Sequence, residues 1–387
     1  MADKKKTDKP ITKEEYRTAL YDVIWLCACA VKGEIPDRER ICGIDLALLY
    51  RVSKYHLLTA RVAYALESAG VKDHAFSQAK AKAIRKLGLM DAEMSVLFER
   101  MEQAGIWYVP LKGTVLKDYY PSYGLRQMAD HDILFDAERA EDVRDILTDM
   151  GFTAEHFGAG NHDCYYKEPV CNFEMHRSLC GKGHDTKVQE YYSDVKAKLL
   201  HDTERPFGYH FSPEDFYVYM IAHEHKHYSA GGTGLRSLLD TYVYLKKEKP
   251  DMDYVTDEVK KLGIGDFEEI NRSLSLHLFD GQTITEEESE MLDFILFSGT
   301  FGTQENSVIN RMRKVTGKHG RVTAGMKMKY YVSRLFPEQE FLYPYYPLAK
   351  YKILIPLVWV FRAVRALLVR RKRVTDEIRI VERQEKI

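Results

Sequence analysis

The sequence predicts an α+β protein in which a small mixed β-sheet is flanked by two mainly helical regions. Apolar residues recur at helical spacing through residues 13–104 and again after residue 183. Between them, residues 105–182 contain short aromatic and β-branched segments separated by Gly and Pro, a pattern typical of strands. With 387 residues, of which 45% are hydrophobic, the chain can bury a full core.

Composition divides the chain into five predicted parts. Residues 1–12 are polar and charged, and we expect a disordered tail there and no secretion signal, which would need an apolar segment. An N-terminal helical region (13–104), an α/β core (105–182) and a C-terminal helical domain (183–345) follow. A basic and apolar C-terminal segment (346–387) completes the chain.

The elements follow from local patterns. Gly70 and Gly105 stand where helix C-caps are expected. The strand candidates of the core are IWYVPL, DHDILF, FTAEHF, DCYYKE and CNFEMHRSL. A helix is predicted in LKGTVLKDYY after the first strand and in AERAEDVRDILTDM after the second. Beyond residue 183 the clearest helices are PEDFYVYMIAHEHKHYS, GLRSLLDTYVYLKKEK and ITEEESEMLDFILFSG.

Charge and cysteine content narrow the class of protein. The net charge is −1, so the chain lacks the overall basic excess of proteins that bind nucleic-acid backbones. Six cysteines without a Cys-x-x-Cys pair fit a reducing compartment better than a disulfide scaffold. The longest apolar run, residues 353–361, is too short to span a bilayer. A cytoplasmic location is therefore expected.

Two aspartates mark the candidate site. Asp130 and Asp132 are two residues apart at the start of an apolar strand candidate, so both side chains would point to one face. Neighbouring carboxylates repel each other and are costly to desolvate, so such a strand usually has a cation beside it. Oxygen ligands select Mg²⁺ or Mn²⁺. For the Asp-x-Asp pattern alone, a solvated strand end is the competing interpretation.

The flanking sequence favours metal and phosphate binding. Lys112, Gly113 and Thr114 stand at a predicted strand-to-helix turn, where Gly lets backbone N–H groups approach a phosphate. The alternation in NFEMH places Glu174 and His176 on one strand face. Glu174 is then a third carboxylate, and three carboxylates can hold two divalent ions for phosphoryl transfer.

These residues carry a resemblance to a known family. The run VPLKGTVLKDYYPSYGLRQMADHDILF resembles the active-site segment of the uncharacterised nucleotidyltransferase family, a branch of the DNA polymerase β-like superfamily. The similarity extends to NHD at Asn161–Asp163, to EMHRSL and to HEHKHYSAGGTGLRSLLD. The matching positions are a Gly-Thr turn, an arginine, the Asp-x-Asp pair and the third carboxylate: Gly113, Thr114, Arg126, Asp130, Asp132 and Glu174. Thr114 replaces the usual Ser, and the spacer before Asp130 is slightly longer.

The resemblance implies transfer of a nucleoside monophosphate from an NTP to a hydroxyl acceptor, with release of pyrophosphate. One Mg²⁺ or Mn²⁺ would be held by all three carboxylates, and a second ion held by Asp130 and Asp132 would bind the triphosphate. The expected nucleotide-binding residues are Lys112, Gly113, Thr114, Arg126, Lys226 and Arg236, with His162, His176 and His223 as candidates for supporting the metal ligands. The acceptor stays open between a protein, an RNA end, a sugar and a small molecule. A catalytically silent nucleotide-binding protein of the same fold is an alternative.

The HEHKH motif supports a different enzyme class. His223 and His227 would lie on one helical face and could bind zinc, with Glu224 as the base of a metallopeptidase. The third ligand, for example Glu248, is only assumed, and Lys226 beside the site disfavours a dication. In the nucleotidyltransferase interpretation this helix meets the triphosphate, and otherwise it only packs.

Two further expectations concern charged residues in the helical regions. Asp240 is expected to pair with Arg236, four residues before it on the same helix. The C-terminal segment interleaves apolar residues with Arg and Lys, so it could lie weakly on an anionic membrane surface. The simpler expectation for this segment is a last helix that packs on the helical domain.

Overall fold

The computed structural model describes residues 11–155, 157–158, 160–181, 185–299, 302–317, 321–342 and 346–385. Within these residues the architecture is α+β, as the sequence predicts, with helices around a five-stranded mixed sheet and a separate two-stranded sheet. Residues 1–10 of the expected tail lie outside the described residues.

Five helices precede the sheet: α1 (Lys13–Lys32), α2 (Arg38–Cys42), α3 (Leu46–Tyr55), α4 (Thr59–Ser68) and α5 (His74–Ala104). The first begins with a capping box, in which Thr12 and Glu15 each accept the other's backbone N–H. The last ends at Gly105, whose φ of 67° is the left-handed conformation that a glycine cap adopts without steric cost. The cap predicted at Gly105 is therefore confirmed.

The five-stranded sheet consists of β1 (Tyr108–Leu111), β2 (His131–Phe135), β3 (Thr153–Glu155), β4 (His162–Lys167) and β5 (Cys171–His176). Its spatial order is β1-β2-β5-β4-β3, and only the central pair β2–β5 is parallel. The short α6 (Gly113–Leu116) follows β1, and α7 (Ala140–Asp149) follows β2. All five strand candidates are confirmed, although the second begins one residue late, so Asp130 precedes the strand.

The second half of the chain is helical apart from one hairpin. After α8 (Thr186–Tyr191), the strands β6 (Leu199–His201) and β7 (Tyr209–Phe211) pair antiparallel. They were not predicted, because three residues are too few to show an alternating pattern. The helices that follow are α9 (Pro213–Ala230), α10 (Leu235–Glu248), α11 (Met252–Leu262), α12 (Gly265–Asp280), α13 (Glu286–Ser298), α14 (Gln304–Thr316), α15 (Ala324–Leu335), α16 (Gln339–Leu342), α17 (Ile355–Val369) and α18 (Arg371–Arg383).

The five-stranded sheet separates two apolar cores. One face packs on α5 and α7, with Phe173 and Met175 of β5 in that core. The other face contributes Leu111 and Leu134 to a larger core built from helices both before and after the sheet. The two helical regions therefore share one interior, and the sheet's second face turns toward α9 and α10.

Among the described residues, no helix is both long enough and apolar enough to cross a membrane.

Candidate active site

The loop between β1 and α6 has an unusual backbone. Lys112 adopts φ 45° and ψ −123°, a region that non-glycine residues rarely occupy. Gly113 follows it, and an added Cβ there would lie 2.3 Å from Nη1 of the buried Arg126. Only glycine therefore fits beneath this turn. Strained backbone of this kind is concentrated at functional sites.

The turn brings Lys112 to the carboxylates of the sheet. Its Nζ lies 2.6 Å from Oδ1 of Asp132, which is 4% exposed. Asp132 and Glu174 are register partners on the parallel strands β2 and β5, so their side chains share one face. The Nε2 atom of His176 lies 2.8 Å from the same Asp132 oxygen and 3.7 Å from Oε2 of Glu174.

Burial, the neighbouring carboxylates and the adjacent Lys112 and His176 give the three carboxylates different pKa values. Burial and the charges of Asp132 and Asp130 raise the pKa of Glu174 to about 7. Burial and the charge of Asp132 also raise the pKa of Asp130. For Asp132, burial opposes ionisation, but Lys112 and His176 nonetheless hold its pKa well below the ordinary value. Negative charge is thus concentrated where Lys112 compensates only part of it.

These donors suit a hard divalent ion. Asp132, Glu174 and His176 place possible ligand atoms within 4.8 Å of one another, and so do His162, Cys164 and Glu174. Oxygen donors with one imidazole nitrogen fit Mg²⁺ less well than Mn²⁺, while the carboxylates alone suit both. Asp130 belongs to neither group among the described residues, so its role as a metal ligand stays a prediction.

Two cations from the helical domain approach this face. Lys226 reaches solvent on α9, yet loss of hydration and the charge of Lys112 lower its pKa, while Glu174 and Asp132 act in the opposite direction. Arg236 on α10 is close enough to Asp130 to feel its charge, although burial and Arg126 lower the pKa of the guanidinium. Within the described part of the chain, no carboxylate oxygen lies within 4.0 Å of either cation.

Asp240 does not pair with Arg236, contrary to the expectation from their spacing. It accepts from Arg126 at 2.9 Å (Nε to Oδ1) and 2.7 Å (Nη2 to Oδ2), a bidentate pair that links the sheet region to α10. The planar guanidinium of Arg126 contacts both carboxylate oxygens, and such bidentate pairs are among the stronger charge-assisted hydrogen bonds. Tyr120 also donates to Asp240, and the fully buried Arg61 lies 3.9 Å from it.

Arg61, Tyr120 and Asp240 were missed as part of the site. The one available signal was a charged residue at an apolar position of the pattern TARVAYALES, where Arg61 stands. The network they form with Arg126 holds two cations against one carboxylate. An excess of buried positive charge therefore lies next to the turn between β1 and α6.

Thr114 is a structural residue of the site. Its Oγ1 accepts the backbone N–H of Asp132 at 3.1 Å and lies 3.1 Å from Nδ1 of His131. The side chain is 3% exposed. In this arrangement Thr114 positions Asp132, and Arg126 supports Gly113. Their expected contacts with a nucleotide stay predictions.

The histidines lie at different distances from the carboxylates. His176 contacts Asp132 directly, whereas the Nε2 atom of His162 lies 3.9 Å from Oε2 of Glu174. His223 on α9 lies 3.1 Å from His227 (Nε2 to Nε2). Burial and the charge of Lys112 lower the pKa of His223 well below its ordinary value, which makes it a neutral hydrogen-bonding group at neutral pH.

The geometry contradicts the metallopeptidase arrangement. Glu224, which would be the base, points away from the histidine pair into the helical core, where it accepts from Asn271 at 2.9 Å and is 5% exposed. Glu248, the assumed third ligand, interacts with Tyr119. Neither convergent group found among the described residues includes His223 or His227.

The fold and site together define a class of protein. A mixed sheet, a strand-Gly-helix turn and carboxylates on two strands were expected from the sequence, and the structure adds that Asp132 and Glu174 face each other on the central parallel strands. Residues 43–280 match the family model described as uncharacterised nucleotidyltransferase, and the chain belongs to that family. Comparison with curated proteins and with solved structures finds no match.

Proposed function

We propose that this protein transfers a nucleoside monophosphate from an NTP to a hydroxyl acceptor, in a reaction that depends on Mg²⁺ or Mn²⁺. The observation that carries the proposal is the facing pair Asp132 and Glu174 on parallel strands, with Lys112 bound to Asp132. A divalent ion held there would supply charge neutralisation and acidify the acceptor hydroxyl. Asp130, Asp132 and Glu174 are the proposed ligands.

The covalent change is a substitution at the α-phosphorus. The acceptor oxygen forms a bond to this phosphorus, the bond to the bridging oxygen of the β-phosphate breaks, and pyrophosphate leaves with the electron pair. The acceptor hydroxyl loses its proton to solvent, and a divalent ion beside that hydroxyl would lower its pKa. The protein's remaining contribution is position and charge.

The proposed triphosphate site is formed by three cations near the carboxylates of the sheet. Lys112 is fixed by the strained turn, and Lys226 and Arg236 approach from α9 and α10. Fixed cations aimed at developing negative charge stabilise a transition state more than flexible ones, because they need no reorganisation. Arg236 can offer two parallel N–H donors to phosphate oxygens.

The test is incorporation of label from each α-³²P-labelled NTP in the presence of Mg²⁺ or Mn²⁺, with cell extract as the source of acceptors. We expect one labelled macromolecular or small-molecule product that EDTA abolishes. Binding is measured in parallel as a rise in melting temperature with NTP and metal. NTP binding without any product would support the catalytically silent alternative. The absence of both NTP binding and labelled product would contradict the proposal.

A further inference from the structure

The C-terminal helix α17 carries an apolar stripe that faces solvent. Six large residues recur at helical spacings of three or four: Leu357, Val360, Phe361, Val364, Leu367 and Leu368. They are between 48% and 79% exposed. Only Val358 of this helix is buried, in a small cluster with Leu342 and Ala349. The expectation that α17 packs on the helical domain by its apolar residues is therefore wrong for this stripe.

An exposed apolar stripe of this size indicates a surface that binds a partner. Single exposed apolar side chains are ordinary on protein surfaces, but a continuous row of six on one helix face marks an interaction surface. The helix contains 15 residues, so it is too short to span a bilayer, and its length suits a position in the plane of a surface.

The charges around the stripe indicate the kind of partner that it binds. Residues 350–373 contain eight Lys and Arg residues and no Asp or Glu. Lys350 and Lys352 precede the helix, Arg365 lies beside the stripe, and four consecutive basic residues, 370–373, follow it. None of these seven cations has a carboxylate oxygen within 4.0 Å among the described residues. The surface therefore combines apolar area with uncompensated positive charge.

We propose that α17 docks in the plane of an anionic phospholipid surface, with the stripe inserted among the acyl chains near the headgroups and the flanking cations on the lipid phosphates. A second copy of the chain fits less well, because a symmetric contact through α17 would bring two such cationic segments together. The inference goes beyond the nucleotidyltransferase activity and does not depend on it.

The C-terminal end of α17 borders a cavity that extends to α9. An open cavity of about 820 Å³ is lined by His227 of α9 and by Arg370, Lys372 and Arg373 around the start of α18. His227 lies 3.1 Å from His223 (Nε2 to Nε2). Burial and the charge of Lys112 lower the pKa of His223. Lipid docking through α17 would thus place a membrane surface near α9.

The test is co-sedimentation of the full chain with phosphatidylcholine vesicles that contain phosphatidylglycerol, compared with pure phosphatidylcholine vesicles. We expect binding at low salt to the anionic vesicles, at least about tenfold weaker binding to the neutral ones, and loss of binding at high salt. The triple variant L357S/F361S/L368S and the charge variant R370Q/R371Q/R373Q should each weaken binding by about tenfold or more. The altered residues are exposed, so the fold should be retained.

The matched control is the variant I35S/L89S/L200S, which removes apolar side chains of similar size that are 74%, 40% and 49% exposed elsewhere. It should bind vesicles as the parent does. Unchanged vesicle binding by the stripe variant, or no binding by the parent at low salt, would overturn the proposal. So would a parent that is dimeric without lipid and becomes monomeric only in the stripe variant, since the stripe would then be a subunit interface.

Discussion

At the scale of single residues, Lys112 combines a strained backbone with an ion pair to Asp132. Its φ of 45° with ψ −123° costs on the order of 1–3 kcal/mol, which the surrounding structure must supply. This conformation places the ammonium group 2.6 Å from the Asp132 carboxylate. The guanidinium of Arg126 packs against the next residue of the loop, Gly113. The strain is therefore consistent with a residue held in place for its charge.

Replacing Lys112 by Gly or by Ala separates strain from charge. Both variants lose the ammonium group, but only glycine adopts the backbone conformation without steric cost. In urea denaturation, we therefore expect the free energy of unfolding of K112G to be about 1–2 kcal/mol higher than that of K112A. Equal stability of the two variants would show that the turn relaxes and carries no strain.

We expect the proposed metal binding to depend on pH through Glu174. Its pKa of about 7 in the metal-free protein means that it holds a proton below neutral pH, and a metal ligand must be ionised. Mn²⁺ affinity, measured by calorimetry, should fall by about tenfold per pH unit below pH 7 and level off above it. In E174Q the affinity should be lower and its dependence on pH in this range should be lost.

The raised pKa of Glu174 also makes the free energy of unfolding depend on pH. Between pH 4.5, the ordinary value, and about 7, the folded protein holds a proton on Glu174 that the unfolded chain has released. The contribution of Glu174 to the free energy of unfolding therefore falls as pH rises through this window. Added Mn²⁺ should offset this loss, and a metal-free protein whose Glu174 contribution rises with pH would contradict the assignment.

At the scale of elements, the sequence predicted those parts of the site that local pattern determines. The alternation in NFEMH correctly placed Glu174 and His176 on the face opposite the core residues Phe173 and Met175. The strand-Gly-helix turn at Gly113 was also predicted, because a glycine between a strand pattern and a helix pattern is typical of a tight turn. These inferences need only neighbouring residues.

Long-range pairings were not predictable in the same way. The Arg126–Asp240 pair joins residues 114 positions apart, and nothing in the sequence distinguishes it from the nearer Arg236–Asp240 pair. The position of Asp130 just before β2 was missed for a related reason, since hydrogen bonding to β1 and β5, and not polarity, decides where the strand begins. Such features depend on packing between elements that are distant in sequence.

The pair between Arg126 and Asp240 also predicts stability. D240N leaves the buried guanidinium of Arg126 without a charged partner, with Arg61 nearby, so we expect a loss of about 3–5 kcal/mol in the free energy of unfolding. D118N, at a carboxylate that is 70% exposed, is the matched control and should change stability by less than about 0.5 kcal/mol. Equal small effects of the two variants would contradict the role of the network.

At the scale of the whole molecule, the sheet divides two cores with different partners. One face is covered by α5 and α7, and the larger core on the other side joins the helices that precede the sheet to the later helices as far as α13. The candidate site lies where this second face meets α9 and α10. The carboxylates that we propose as catalytic lie on or beside the sheet, the cations that we propose to bind phosphate lie on α9 and α10, and only the complete fold brings them together.

The most direct measurement is nucleotide transfer by D132N, with D136N as the matched control at the other end of β2. The amide that D132N introduces can still accept hydrogen bonds from Lys112 and His176, but Lys112 loses its charged partner, so circular dichroism and the melting temperature must first show that the variant is folded. With Mg²⁺ and the preferred NTP, D132N should lose transfer by about a thousandfold or more, while D136N retains it. Near-parental transfer by a folded D132N would contradict the assignment of this site.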